Sequence, residues 1–127
     1  MSNKENSIKV KEGEMEVIVT EILSNIGIPR HLTGFYYIRR AILISLTYKS
    51  FPIAITKVLY PEVAKEFETT PSRVERAMRH AIEVAWVRGD YEYMDKLFVS
   101  TVSSKKGKPT NAEFISLVTD KLRLEMK

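Results

Sequence analysis

Residues 60–89 read YPEVAKEFETTPSRVERAMRHAIEVAWVRG, and this stretch decides the fold. It predicts a short helix, a tight break and a long helix. The break falls at Glu68-Thr69-Thr70-Pro71. Thr70 suits the N-cap of a helix that begins at Pro71, because proline lacks only an N–H that has no partner in a first turn. A capping box from Ser72 to Glu75 offers a competing start. Wound at about 100° per residue, the long helix puts Val74, Ala77, Met78, Ala81, Ile82 and Ala85 on one side. Ser72, Arg73, Arg76, Arg79, His80 and Glu83 fall on the other, with Glu75 at the margin. Such a face fits either a packed helix turned toward an anion or an ordinary solvated surface.

The preceding residues favour the first alternative. In a helix-turn-helix the first helix places a small residue where the two helices cross, and the second returns apolar residues to the same core. Val63-Ala64 supplies the first requirement, and Val74 and Ala77 the second. Glu68 stands where many such motifs carry glycine to allow positive φ. The turn is therefore either more open than usual or strained at Glu68.

With 127 residues the chain suits one domain with a real core. Its 44% hydrophobic and 28% charged residues are ordinary for a globular protein. There is no cysteine, which excludes disulfides, thiol catalysis and cysteine-based zinc sites and suits a cytoplasmic location. A net charge of +4 and a pI near 9.3 lean toward a polyanionic partner. The opening MSNKENSIKVKEGE lacks the apolar core of a signal peptide. The most apolar segment, residues 41–46, is too short to span a bilayer.

Along the chain, residues 1–13 are expected as a disordered tail or linker remnant, and residues 14–127 as the domain. A first helix is expected from about Glu14 to Ile26, striped by Met15, Ile18, Val19, Ile22, Leu23 and Ile26. Gly27 suits C′ and Pro29 blocks continuation, while the β-branched run at 17–20 keeps a strand as the alternative. A second helix is expected from Thr33 as N-cap to about Lys49, with Phe35, Ile38, Ile42 and Leu46 inward and Arg39 and Arg40 on another side. Tyr36 and Tyr37 fit boundary packing better than base stacking. Pro52 marks a break, and residues 53–59 form a short apolar lead into the motif, carrying Lys57.

Gly89-Asp90 is a helix stop, residues 91–98 a short helix, and residues 99–109 a loop bearing Lys105, Lys106 and Lys108. The last helix opens on the capping box Thr110-Asn111-Ala112-Glu113 and continues through Phe114, Leu117, Val118 and Leu122. The expected architecture is an all-α, compact bundle of about six helices containing a helix-turn-helix.

Nothing in the chain points to catalysis. His31 and His80 are far apart in sequence with no ligand constellation around them, so no metal is expected. The pairs Glu62/Glu66 and Glu12/Glu16 suit solvated helix faces rather than acid–base work. The five glycines form no phosphate-cradling loop. The chain reads as a binder without cofactor, not an enzyme.

Three segments carry a family resemblance. ITKVLYPEVAKEFETTPSRVERAMRHAIEVAW (residues 55–86), KPTNAEFISLVTDKLRLE (residues 108–125) and, more weakly, NIGIPRHLTGFYYIRRAI (residues 25–42) resemble the C-terminal effector domain of the master sporulation response regulator of endospore-forming bacteria. The string SRVERAMRHAIEVAW is far more diagnostic than a generic helix-turn-helix, and the likeness spans about residues 15–126.

The resemblance implies an all-helical domain that binds short asymmetric boxes in double-stranded DNA. Binding is as tandem dimers on DNA, with a monomer or weak dimer when free, and it regulates transcription of sporulation promoters. Carried onto this chain, Glu75, Arg76 and Arg79 are the base-contacting residues. An arginine fork matches guanine O6 and N7, and a carboxylate accepts from cytosine N4. Lys57, Ser72, Arg73, His80, Lys105, Lys106 and Lys108 are the expected backbone contacts. The family's surface for the sigma subunit of RNA polymerase maps onto residues 91–102. There the chain has Phe98-Val99-Ser100 where the family commonly has Phe-Gly-Tyr, so the likeness supports DNA binding more firmly than activation.

Full regulators of this kind begin with a phosphorylatable receiver domain, which this sequence lacks. It is expected to be either an effector half or a natural short relative freed from phosphorylation. The second version opens a rival role, a receiver-less interaction module acting on the full-length regulator or on sigma factor.

Overall fold

Gly27, Thr70, Gly89 and the Thr110–Glu113 box are stop and start signals in the sequence, and each stands at a helix end. The structure, a computed structural model, describes residues 2–48, 53–89, 91–97 and 107–125, with side chains over 13–48, 53–89, 92–97 and 107–125. Among these residues the elements are α1 (Ser2–Ile26), α2 (Thr33–Thr47), a wide π-type turn (Ile55–Leu59), α3 (Tyr60–Glu66), α4 (Pro71–Arg88), α5 (Tyr91–Leu97) and α6 (Asn111–Glu125). Every regular element described is helical.

Helix α1 begins at Ser2, not near Glu14, so the tail expected over residues 1–13 is helical from Ser2 onward. No proline interrupts that stretch. Its one glycine, Gly13, costs about 1 kcal/mol against alanine, too little to halt a helix anchored by a packed half. Val19, Ile22, Leu23 and Ile26 are buried, but Ile18, expected in the stripe, is exposed beside Val17. Helix wins over the strand alternative because helical spacing puts these four apolar residues on one face. At the end of α1, Gly27 adopts φ 111°. Its N–H reaches the Ser24 carbonyl at 3.1 Å and the N–H of Ile28 reaches Leu23 at 3.1 Å, the paired bonds of a Schellman cap.

The N-cap of α2 is Leu32 rather than Thr33. The N–H of Leu32 bonds to the Pro29 carbonyl at 3.2 Å, and this turn sets Leu32 extended immediately before the helix. The helix stops at Thr47, short of Lys49. There the Arg123 guanidinium of α6 donates to the carbonyl of Ser45 at 2.8 Å and to that of Tyr48, satisfying groups a helix end leaves open.

Helix α2 is the hub, packing against α1, α3, α4 and α6. Phe35, Ile38 and Ile42 of α2 share one core with Leu23 and Ile26 of α1, Met78 and Ile82 of α4, and Phe114 and Leu122 of α6. Each such side chain contributes about 1.5–3 kcal/mol by leaving water. The capping box of α6 closes in both directions. The Thr110 N–H donates to the Glu113 carboxylate at 2.9 Å, and the Glu113 N–H to Thr110 Oγ1 at 3.1 Å.

Candidate nucleic-acid interface

The connection from α3 to α4 fixes the aim of the longer helix. Wide-turn residues Ile55–Leu59 run straight into α3, with the Tyr60 N–H reaching back five residues to the Ile55 carbonyl. Sequence reading found only an apolar lead here, since nothing in its composition marks a π-type turn. Val63 and Ala64 of α3 and Val74 of α4 are buried as the motif requires, and Ala77 is partly buried against the same core. At the break the Thr69 N–H bonds to the Ala64 carbonyl at 2.9 Å and the Glu68 N–H to Lys65 at 3.4 Å. Glu68 holds φ 54°, so the closed, strained alternative is the one adopted. Thr70 then caps α4, its hydroxyl accepting from the Arg73 N–H at 3.3 Å with Pro71 as first helical residue. The competing start at Ser72 is not used.

A second device seats α4 from behind. Gly34 of α2 is buried at the crossing with α4, where an added Cβ would collide with the Ala77 carbonyl and lie 2.8 Å from Ala81 Cβ. Gly89 plays a similar part at the far end, where a Cβ would meet the Ala85 and Ile26 carbonyls and Met94. Sequence reading took the close crossing to lie at Val63-Ala64 and passed over Gly34. The available signal was a glycine inside a helical pattern, which costs helix stability unless a neighbouring backbone needs the space.

Val74, Met78, Ala81, Ile82 and Ala85 are buried on the inner side of α4. Ser72, Arg73, Arg76, Arg79, His80 and Glu83 are exposed on the outer side, and Glu75 is half-buried between. Arg79 Nε lies 3.2 Å from a Glu75 carboxylate oxygen, four residues back on the same helix. Among the described residues, neither Arg73 nor Arg76 has a carboxylate at ion-pair distance. Lys57 is exposed on the wide turn that leads into α3. Lys108 is exposed and bonds to the Glu83 carboxylate at 2.9 Å. That ammonium, with Arg79 and His80 adding to it, holds the Glu83 carboxyl below the usual range. Lys105 and Lys106 lie outside the described residues, as does the 98–102 part of the segment compared with the sigma-contacting surface.

Other basic residues hold the bundle together. Arg40 of α2 makes two bonds to the Glu66 carboxylate of α3, at 2.7 and 3.0 Å. Arg39 meets Glu16 at 3.1 Å and Thr20 Oγ1 at 3.1 Å on α1, and lies 5.1 Å from the centre of the Tyr36 ring.

Asn111 is the other residue that sequence reading missed, because the capping box accounted for it only as a spacer. Its side-chain amide is buried and donates to Tyr60 Oη at 2.9 Å and to the Glu75 carbonyl at 3.1 Å. The N-terminus of α6 is thereby tied to both helices of the motif. Among the described residues no group of three or more His, Asp or Glu could hold a metal ion. No described helix is long and apolar enough to cross a membrane.

A basic outer face on a buried-backed second helix, reached through a tight capped turn, is the geometry of a DNA-reading helix-turn-helix. A comparison with protein families matches residues 19–122 to the family described as sporulation initiation factor Spo0A C terminal. The chain belongs to that family. The match starts inside α1 at Val19, takes in α2 to α5 whole, and ends near the close of α6 at Leu122. The Spo0A C-terminal family is a DNA-binding effector domain of transcriptional regulation in sporulation, and it is not a known enzyme family. The all-α bundle expected from the sequence is the one observed.

Proposed function

We propose that this chain reads specific sites in double-stranded DNA by laying α4 (Pro71–Arg88) in the major groove, and so regulates sporulation-type promoters. The observation that carries this is the guanidinium of Arg76, exposed at the middle of the outer face with no carboxylate at ion-pair distance among the described residues. It has the bidentate fork that matches guanine O6 and N7. Arg79 reads as a unit with Glu75. The carboxylate engages Nε and orients the guanidinium, leaving the terminal nitrogens for a base edge. The ion pair is exposed and therefore worth about 0–1 kcal/mol, weak enough to open where Glu75 itself meets cytosine N4.

Around these, Ser72, Arg73, His80, Lys57 and Lys108 hold phosphates and set the register, with Lys105 and Lys106 expected to join them. On DNA the domain works as a tandem dimer in the cytoplasm, and the segment around α5 meets sigma factor. The test begins with duplexes selected from a random library by the wild-type chain. On the selected site Arg76→Ala costs about 1–3 kcal/mol and relaxes preference at one base pair. Unchanged discrimination by Arg76→Ala removes its assigned role. Absence of any selected site, with capture of the full-length regulator or sigma factor instead, favours the interaction-module alternative.

A further inference from the structure

We infer that Asn111 is a positioning residue for DNA reading, setting the angle of the recognition helix through its bonds to Tyr60 and to the Glu75 backbone; this rests on the proposed major-groove role of α4. The geometry is specific. A side-chain amide nitrogen carries two hydrogens, and Asn111 Nδ2 has one acceptor for each: Tyr60 Oη at 2.9 Å and the Glu75 carbonyl at 3.1 Å. Tyr60 is the first residue of α3, where the wide turn becomes α-helix, and Glu75 lies on α4 one residue before Arg76 and one turn before Arg79. One buried group therefore fixes the first motif helix, the reading half of the second and the start of α6 relative to one another.

The bond falls on the carbonyl of Glu75, whose own carboxylate orients Arg79. A tilt of α4 about this point moves both reading arginines together. Burial raises the Tyr60 hydroxyl above its usual range, consistent with a neutral phenol held in the joint. Asn111 takes no part in the capping box, which is made by Thr110 and Glu113, so the start of α6 survives its replacement.

The experiment uses the full chain, a duplex selected by it from a random library, single-base variants of that duplex, and a scrambled duplex. Asn111→Leu keeps roughly the size and removes both donors. A folded Asn111→Leu variant should lose discrimination by about tenfold at the base pairs that Arg76→Ala and Arg79→Ala also relax. Binding to scrambled DNA should change by less than about twofold and its salt dependence should stay near the wild-type slope, because no cationic side chain is removed and non-specific phosphate contacts do not require the alignment that a base edge does. A merely structural asparagine would lower thermal stability and leave discrimination where it was, and that result overturns the inference. Should Asn111→Leu fail to fold, Tyr60→Phe removes one acceptor and little else. A discrimination loss of about threefold supports the inference, and wild-type discrimination by that variant overturns it. A wild-type chain that does not discriminate at all sinks the DNA-reading proposal itself, a result distinguishable from failure of the asparagine variants alone.

Discussion

Glu68 ends α3 in the same hydrogen-bonded frame in which Gly27 ends α1, but with a side chain in a backbone region that favours glycine. In both caps the N–H of the left-handed residue bonds three residues back, and the next N–H bonds five residues back. Gly27 has φ 111° and Glu68 φ 54°. For an L-residue the left-handed region costs about 1–2 kcal/mol, and glycine's greater freedom in the unfolded chain returns part of that difference. Glu68→Gly should therefore stabilise the domain by about 1 kcal/mol. Urea denaturation checks it. A loss of stability would mean that the Glu68 side chain makes a favourable interaction outweighing the strain.

The crossing of α2 and α4 gives the opposite expectation. A methyl group on Gly34 would sit on the Ala77 carbonyl, which is helix backbone and cannot swing aside as a flexible side chain would. Gly34→Ala should destabilise the fold by about 1–3 kcal/mol, the usual cost of overpacking, although alanine is the better helix former. Denaturant midpoints for Gly34→Ala and for Gly13→Ala separate the two effects. Gly13 has nothing within 4 Å of a built Cβ, so its replacement should be neutral or mildly stabilising.

These two glycines also show how far the sequence could be read. Local signals were legible: Thr70 before Pro71, Gly27 before Pro29, and Thr110 with Glu113 each use bonds that span a few residues, and all three caps formed as expected. The outer and inner faces of α4 came from helical spacing alone. Gly34 against Ala77, Arg123 on the end of α2 and Asn111 on Glu75 are different in kind, since each joins residues far apart in the chain. Composition and periodicity hold no record of which distant carbonyl a side chain meets. The start of α1 failed for a related reason. A polar stretch without proline is compatible with either coil or helix, and here the packed half of α1, from Val19 to Ile26, carries the helix back through it.

Tyr60 predicts an alkaline limit on stability. Burial first, and the nearby Glu75 carboxylate after it, raise its hydroxyl above the ordinary 10.0, while the bond from Asn111 and the charge of Arg79 pull the other way. The folded pKa is therefore higher than the unfolded one, so the group's contribution is fully present below pH 10 and is lost as pH rises through the folded value. Stability measured by denaturant should fall above pH 10, and Tyr60→Phe should flatten that fall. Tyr48, raised by burial and by Glu62, adds in the same direction and remains in the variant, so the slope should shrink rather than vanish.

The bond between Lys108 and Glu83 sets a test of the phosphate contacts. Both residues lie on or beside the proposed DNA face, and the ammonium holds the carboxyl below its usual range, so Glu83 stays charged through the neutral region. A phosphate that approaches Lys108 must compete with a carboxylate already 2.9 Å away, and it also meets that carboxylate's repulsion. Glu83→Gln removes both obstacles and should strengthen binding to matched and scrambled duplexes alike, by about a factor of three to ten for one like charge removed near a screened surface. Lys108→Ala should weaken both alike, and Lys57→Ala, which removes a lysine with no ion pair among the described residues, should do so more strongly. Each lysine that contacts a phosphate should lower the slope of log affinity against log salt by about 0.9. Fluorescence anisotropy over a salt series measures both quantities. If Lys57→Ala and Lys108→Ala leave the slope unchanged, neither lysine neutralises a phosphate. If Glu83→Gln instead alters preference among bases, Glu83 belongs with the reading residues and the division of this face must be redrawn.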